Sequence, residues 1–139
     1  MRQRKYIVPV IAAAVLICAA CGPQGEANIV LRGQLTYPSD ALIPQGSLAR
    51  ISVREAGADA IVRRIVTERY LYAIGQKPVA FELRIPRPLL RAQSDYSLWA
   101  EILGNAGQTL WASENALPVS LPGDSRQPPL TLHLSAARQ

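Results

Sequence analysis

The chain has 139 residues, 49% of them hydrophobic, and a formal charge of +5. Three of its 15 basic residues lie within the first five positions, so the chain after residue 20 keeps 12 basic against 10 acidic residues, a charge of +2. This near balance argues against a nucleic-acid-binding protein, and the length fits one domain.

The first 20 residues have the pattern of a bacterial lipoprotein signal peptide. Arg2, Arg4 and Lys5 precede an apolar stretch from Tyr6 to Ile17, and two alanines lead directly into Cys21. The apolar stretch is shorter than the roughly 20 residues that span a bilayer. We therefore predict cleavage after residue 20 and attachment of lipid, including palmitate, to the thiol of Cys21.

The alternative is ordinary signal-peptidase cleavage near Ala20, which leaves a soluble periplasmic protein with a free Cys21. It stays open because Cys18 stands where lipoprotein signals usually have an aliphatic residue. Gly22, by resemblance to lipoproteins in general, favours the periplasmic face of the outer membrane. Residues 21–28 are predicted to form a lipidated tether.

From Ile29 onward, apolar and polar residues alternate with the period of half-buried strands. Seven strands are predicted: Ile29–Tyr37, Leu48–Glu55, Ile61–Glu68, Pro78–Ile85, Tyr96–Ile102, Thr109–Ser113 and Leu130–Leu134. A helical turn is predicted over Leu89–Gln93. Short strands separated by Gly and Pro predict an all-β fold, a single antiparallel β-sandwich over residues 29–135.

Trp99 and Trp111 are the two tryptophans of the chain. If Leu103–Gly107 form a five-residue hairpin loop, the two side chains lie directly opposite each other on the outer face of neighbouring strands. Two interpretations are open. The pair forms either a secondary core beneath the Pro-rich segment 115–129 or an exposed apolar patch that binds a partner.

Basic residues cluster around the third predicted strand and the loop after it: Arg63, Arg64, Arg69 and Lys77. Such a cluster is either a solvated surface or a site that pairs with an acidic peptide or with lipid head groups. Arg63 and Arg64 therefore join Trp99 and Trp111 as candidate partner-binding residues.

Catalytic and metal-binding motifs are absent from the sequence. His133 is the one histidine, and no serine stands in a Gly-x-Ser-x-Gly turn. A zinc site needs several His, Cys or carboxylate ligands at suitable spacing. We therefore expect no enzymatic activity, no metal and no cofactor, with His133 on an exposed strand face.

Several segments, in this order, resemble the YbaY/YscW-type lipoproteins: Leu31–Tyr37 with Ala41–Pro44, Leu48–Glu55, Gly75–Leu83 and Asp95–Ile102. The third contains that family's Pro-x-x-Phe-x-Leu stretch, beginning at Pro78. The fourth contains its Tyr-x-x-x-Ala-x-Ile strand, beginning at Tyr96. The resemblance extends from Ile29 to Leu134, although Pro86-Arg87-Pro88 departs from the more polar residues usual in the family.

The best-understood members of that family are pilotins of type III secretion systems, which carry secretin subunits to the outer membrane. The resemblance thus implies a non-enzymatic lipoprotein that binds a short C-terminal segment of a secretin subunit. Strand addition at a sheet edge and an amphipathic helix in a groove are both open as modes of binding. The alternative is a general envelope lipoprotein that binds a small ligand or another envelope partner, without a secretin.

Overall fold

The computed structural model describes residues 28–57, 59, 61–72, 78–121 and 128–138, with Arg63 described by its backbone alone. Cys21, the signal peptide and nearly all of the tether lie outside these residues. Their predicted roles therefore stay predictions.

The described residues form eight strands: β1 (Asn28–Thr36), β2 (Leu48–Ala56), β3 (Val62–Leu71), β4 (Val79–Pro86), β5 (Asp95–Leu103), β6 (Thr109–Ser113), β7 (Leu117–Val119) and β8 (Leu130–Ala136). The all-β prediction is confirmed. No α-helix is present in this part of the chain, and so none that could cross a membrane.

β4 shows how the alternating pattern produces these strands. Its side chains at Val79, Phe81, Leu83 and Ile85 are buried, and those between them face outward. The strand ends at Pro86, because proline has no N–H to donate to a ladder. The turn that follows is a 3₁₀ turn at Arg87–Leu89, earlier than the predicted Leu89–Gln93, since a proline sits in its first positions.

The strands form one continuous sheet in the order β3-β2-β5-β6-β8-β1-β4, and β7 pairs with the first half of β5 beside β6. The sheet is mixed rather than purely antiparallel, because β8 runs parallel to β1 and antiparallel to β6. A period-two pattern identifies a strand but not its neighbour, which is why the parallel pair could not be predicted.

β7 is the strand that was missed. It has three residues with Pro118 at its centre, and Pro disfavours an interior strand. It forms nonetheless because it is short and lies at the end of β5, where Val119 is opposite Tyr96.

The sheet is curled on itself, and its inner face encloses one core, so the fold is barrel-like. All the longer strands contribute to this core, which includes Ile29, Leu31, Leu35, Ile51, Phe81, Leu98, Ile102 and Leu132. The two end strands, β3 and β4, approach each other without backbone pairing in the described residues.

Gly33 lies where β1 and β8 approach each other closely. A Cβ atom there would lie 2.2 Å from the carbonyl oxygen of Leu130 and 2.8 Å from the ring of Phe81. Neither distance is sterically possible. Glycine is thus required for β1 and β8 to pair at this separation.

Gly33→Ala is therefore expected to lower the free energy of unfolding by about 1–3 kcal/mol, the usual effect of overpacking. Urea denaturation at neutral pH measures it. The control is Gln34→Ala at the next, exposed position, which should change stability by about 0.5 kcal/mol or less. Equal stability of both variants would show that β8 does not pair with β1 at this distance.

Candidate functional site

The two tryptophans do not lie opposite each other, so this part of the prediction is wrong. Trp111 is opposite Ile102 in the β5–β6 pair. Opposite residues share a face of the sheet, and Ile102 is fully buried, so Trp111 points inward and packs against the core. Trp99 lies three residues before Ile102 and points outward.

Two features of the β5–β6 hairpin cause this difference. The loop closes one residue later than predicted, with Leu103 opposite Thr109 and the N–H of Gly104 donating to the carbonyl of Gln108 at 2.9 Å. A β-bulge beside Leu103 then adds one residue to β6. Moving the loop by one residue along both strands leaves each side chain of β6 on its predicted face. One extra residue in β6 alone moves the side chains beyond it to the opposite face, so Trp111 points inward.

Trp99 belongs to a ladder of polar side chains on the outer face of β5. The guanidinium carbon of Arg54 lies 4.8 Å from the centroid of its ring, a cation–π distance. Its Nε1 donates to Oε1 of Glu101 at 3.1 Å, and Glu101 also accepts from Arg50. These contacts fix the indole while leaving it half-buried.

Arg64 is engaged by a buried carboxylate within the protein. Glu55 is only 2% exposed and accepts hydrogen bonds from Arg64 Nε and from Ser94 Oγ, the latter at 2.7 Å. Nη1 of Arg91 lies 3.7 Å from the same carboxylate. The hydrogen bond from Ser94, together with that from Arg64, lowers the pKa of Glu55 below the ordinary value. A buried charge needs such partners to be tolerated.

The same arginine joins separate parts of the fold. Arg64 also donates to the carbonyl oxygen of Leu89 in the 3₁₀ turn, so it connects β2, β3 and the segment after β4. Arg63 contributes its backbone to β3, and its side chain lies outside the described part of the structure. The structure therefore gives Arg64 a structural role, and partner binding by Arg63 and Arg64 remains a prediction.

β3 carries exposed apolar side chains that sequence analysis did not single out. Val62 and Ile65 are each 50% exposed and Tyr70 is 38% exposed, with Ile61 and Tyr72 still more exposed at the strand ends. One signal was present in the sequence. The β-branched residues of this segment do not keep a period of two, so they cannot all point to one face of the strand.

Concave surfaces also lie elsewhere on the described part of the molecule. A groove of about 630 Å³ runs past Trp99 between the β6–β7 turn and the end of β8. A second cavity, of about 710 Å³, lies beside Tyr96 and Leu121 at the β7 end of β5. Within the described residues, no three His, Cys, Asp or Glu side chains are grouped so that they could hold a metal ion.

The opposite orientations of the tryptophans predict different effects of their removal. Trp111→Ala should lower the free energy of unfolding by about 2–3 kcal/mol, because it empties part of the core. Trp99→Ala should cost about 1 kcal/mol, the loss of its cation–π contact and one hydrogen bond. Urea denaturation of both variants decides this. A larger effect at Trp99 would show that Trp99, and not Trp111, points into the core.

The environment of Glu55 predicts a specific dependence of stability on pH. Because its pKa is lowered in the folded state, ionised Glu55 stabilises the fold above about pH 4.3, the unfolded value. That contribution is lost as the pH falls through the lower folded-state value.

Glu55→Gln should therefore be less stable than wild type at pH 7 and should lose less stability on acidification from pH 5 to pH 3. Denaturant midpoints across this range measure the difference. Glu114→Gln, at an exposed position, is the control and should keep the wild-type slope. An unchanged slope in Glu55→Gln would rule out this role of the carboxylate.

Comparison with solved structures finds a chain of similar fold. No curated protein matches the chain. A solved structure described as an alternative pilotin from the type II secretion system of Vibrio cholerae shares its fold, with a TM-score of 0.63 and 18% sequence identity over 79% of this chain and 99% of that chain.

A family model described as the type III secretion system lipoprotein chaperone (YscW) matches residues 27–132. The match includes β1 to β7 completely and reaches into β8. Since it extends over well more than half of the 139 residues, the chain belongs to the YscW family of type III secretion lipoprotein chaperones.

Proposed function

We propose that this protein is a secretin pilotin: a lipoprotein that binds a secretin subunit and assists its targeting to, and assembly in, the outer membrane. The observation that carries the proposal is membership of the lipoprotein chaperone family over residues 27–132. The signal ending at Cys21 supports it, because a lipid anchor supplies the membrane address that a pilotin delivers.

The fold is suited to a binding role of this kind. Its interior is filled by side chains of the shared core, so a polypeptide partner has to be held by outer faces, edges or grooves. Exposed apolar side chains on β3 and the half-buried Trp99 offer such surfaces. Apolar anchors supply most of the affinity in interfaces whose net charge is small.

The secretion system served by the protein is part of the proposal. The family description names type III secretion, and we therefore propose a type III secretin as the partner. The similar structure is described as a type II pilotin, which makes a type II secretin the comparison to include. Binding of purified protein to secretin subunits of each kind separates the two.

The proposed anchor predicts the outcome of Cys21→Ser. The domain should stay folded, since the core of the described residues contains no cysteine, but it should move to the soluble periplasmic fraction. One acyl chain binds only reversibly, whereas several chains, at about 0.8 kcal/mol per buried methylene, hold firmly. Incorporation of labelled palmitate and cell fractionation measure the change.

Cys18→Leu is the matched control, because it removes the other cysteine while supplying the aliphatic residue usual at that signal position, so labelling should be preserved. Absence of label on the wild-type protein would contradict the anchor. The role itself is tested in a strain that lacks the protein. Secretin multimers that reach the outer membrane normally in that strain would favour a general envelope lipoprotein instead.

A further inference from the structure

The turn that follows β4 presents apolar residues between two arginines. It comprises residues 86–91, with the sequence Pro-Arg-Pro-Leu-Leu-Arg, and contains the 3₁₀ turn Arg87–Leu89. Pro88 and Leu89 are exposed, and the side chain of Arg91 is 66% exposed. Exposed apolar residues flanked by arginines are typical of surfaces that lie at a membrane interface. We call residues 86–91 the proline turn.

The N–H groups of the proline turn make little demand on water. Pro86 and Pro88 have no N–H to hydrate. The N–H of Leu90 donates to the carbonyl of Arg87 at 3.0 Å. Proline therefore removes two donors from this turn, and the turn itself pairs a third.

Carbonyl groups of the proline turn are also paired within the protein. The carbonyl of Leu89 accepts from Arg64. The hydroxyl of Tyr96 accepts from the N–H of Arg91 at 2.6 Å and donates to the carbonyl of the same residue at 3.2 Å. Because moving an unpaired polar group into an apolar layer costs several kcal/mol, such pairing lets a turn leave water at a lower cost.

A second exposed apolar side chain lies at the same end of the barrel. Ile61 is 63% exposed and immediately precedes β3, and the bond from Arg64 to Leu89 places the start of β3 beside the proline turn. Its backbone is paired as well. The N–H of Ile61 donates to Oδ1 of Asp59 at 3.3 Å, and its carbonyl accepts from the N–H of Gly57 at 3.2 Å.

This is also the end of the barrel from which the proposed anchor departs. Pro86 pairs with Asn28, the first described residue of β1. Residues 22–27 are all that separates Asn28 from Cys21. A lipid on Cys21 would therefore keep the proline turn near the head groups of the membrane that holds it.

The charged side chains at this end match a zwitterionic head group. Arg87 and Arg91 belong to the proline turn, and the exposed Asp59 and Asp95 lie in the segments beside it. A guanidinium group suits a phosphate, and a carboxylate suits an ammonium group. Phosphatidylethanolamine carries both groups. A strongly anionic partner would instead favour a surface with an excess of arginine.

We propose that this end of the barrel docks on the phospholipid surface to which Cys21 is anchored. Pro88, Leu89 and Ile61 enter the head-group layer, while the arginines of the proline turn contact phosphates. This inference rests on the proposed anchor and goes beyond the proposed function, because it gives the domain a fixed orientation. The opposite end and the outer faces of the strands stay available to a polypeptide partner.

The test places a fluorescent probe at each end of the lipidated mature protein in vesicles of phosphatidylethanolamine and phosphatidylcholine. Since lipid blocks Cys21 and Cys18 leaves with the signal, an introduced cysteine is the one free thiol. A probe on Leu89→Cys should emit at shorter wavelength than in detergent-free Cys21→Ser protein and should be quenched by nitroxide-labelled head groups. The matched control is Leu42→Cys, since Leu42 is 87% exposed in the loop between β1 and β2, at the opposite end. Its probe should show neither change.

A longer tether separates docking from mere proximity. A flexible Gly/Ser insertion of about 20 residues between Gly25 and Glu26 lets the domain move away from the surface. Quenching at position 89 should persist in this protein, because the end of the barrel binds lipid. Adding Ile61→Asp should then remove it, whereas adding Leu42→Asp should not. Circular dichroism verifies that each variant is folded.

The remaining outcomes overturn the proposal in distinguishable ways. Loss of quenching on lengthening the tether alone would refute docking, and equal quenching of the two probes would refute the orientation. Either result leaves the pilotin function intact if the same lipidated protein binds the secretin subunit. A mature protein whose mass shows no lipid on Cys21 would refute the anchor and the docking together.

Discussion

The close approach of Gly33 to the backbone of Leu130 is the contact on which the rest of the fold depends. β8 connects the two parts of the sheet, since it pairs with β6 on one side and with β1 on the other. A methyl group at position 33 collides with this strand. If β1 and β4 separated from β8, the inner faces of both parts would expose the core that they share.

Much of the fold could be predicted from alternation alone, because burial of one face imposes a period of two on the sequence. β4 and β6 are clear cases, since the predicted segments agree with the strands to within a residue or so. The order of the strands could not be predicted in this way. It depends on contacts between distant segments, such as the parallel pairing of β1 with β8, which leave no local pattern.

The candidate site was harder to predict, for reasons that differ between residues. Trp111 was assigned to the wrong face because a single bulged residue exchanges the two sides of a strand. Glu55 continues the inward-facing series of β2, and only the positions of Ser94 and Arg64 reveal why a charge is tolerated there. The exposed edge of β3 could be recognised only from the order of strands in the sheet. In that order, β3 stands at one end and no other described strand covers its outer edge.

The pairing of Asn28 with Pro86 places the first described residue of β1 at the end of the barrel where β4 finishes. β1 begins beside the end of β4, and the contact of Arg64 with Leu89 puts the first residues of β3 at that same end. A lipid on Cys21 would be linked to Asn28 by a chain that reaches at most about 25 Å. If Cys21 carries the proposed lipid, the linkage would leave the domain from this end of the barrel.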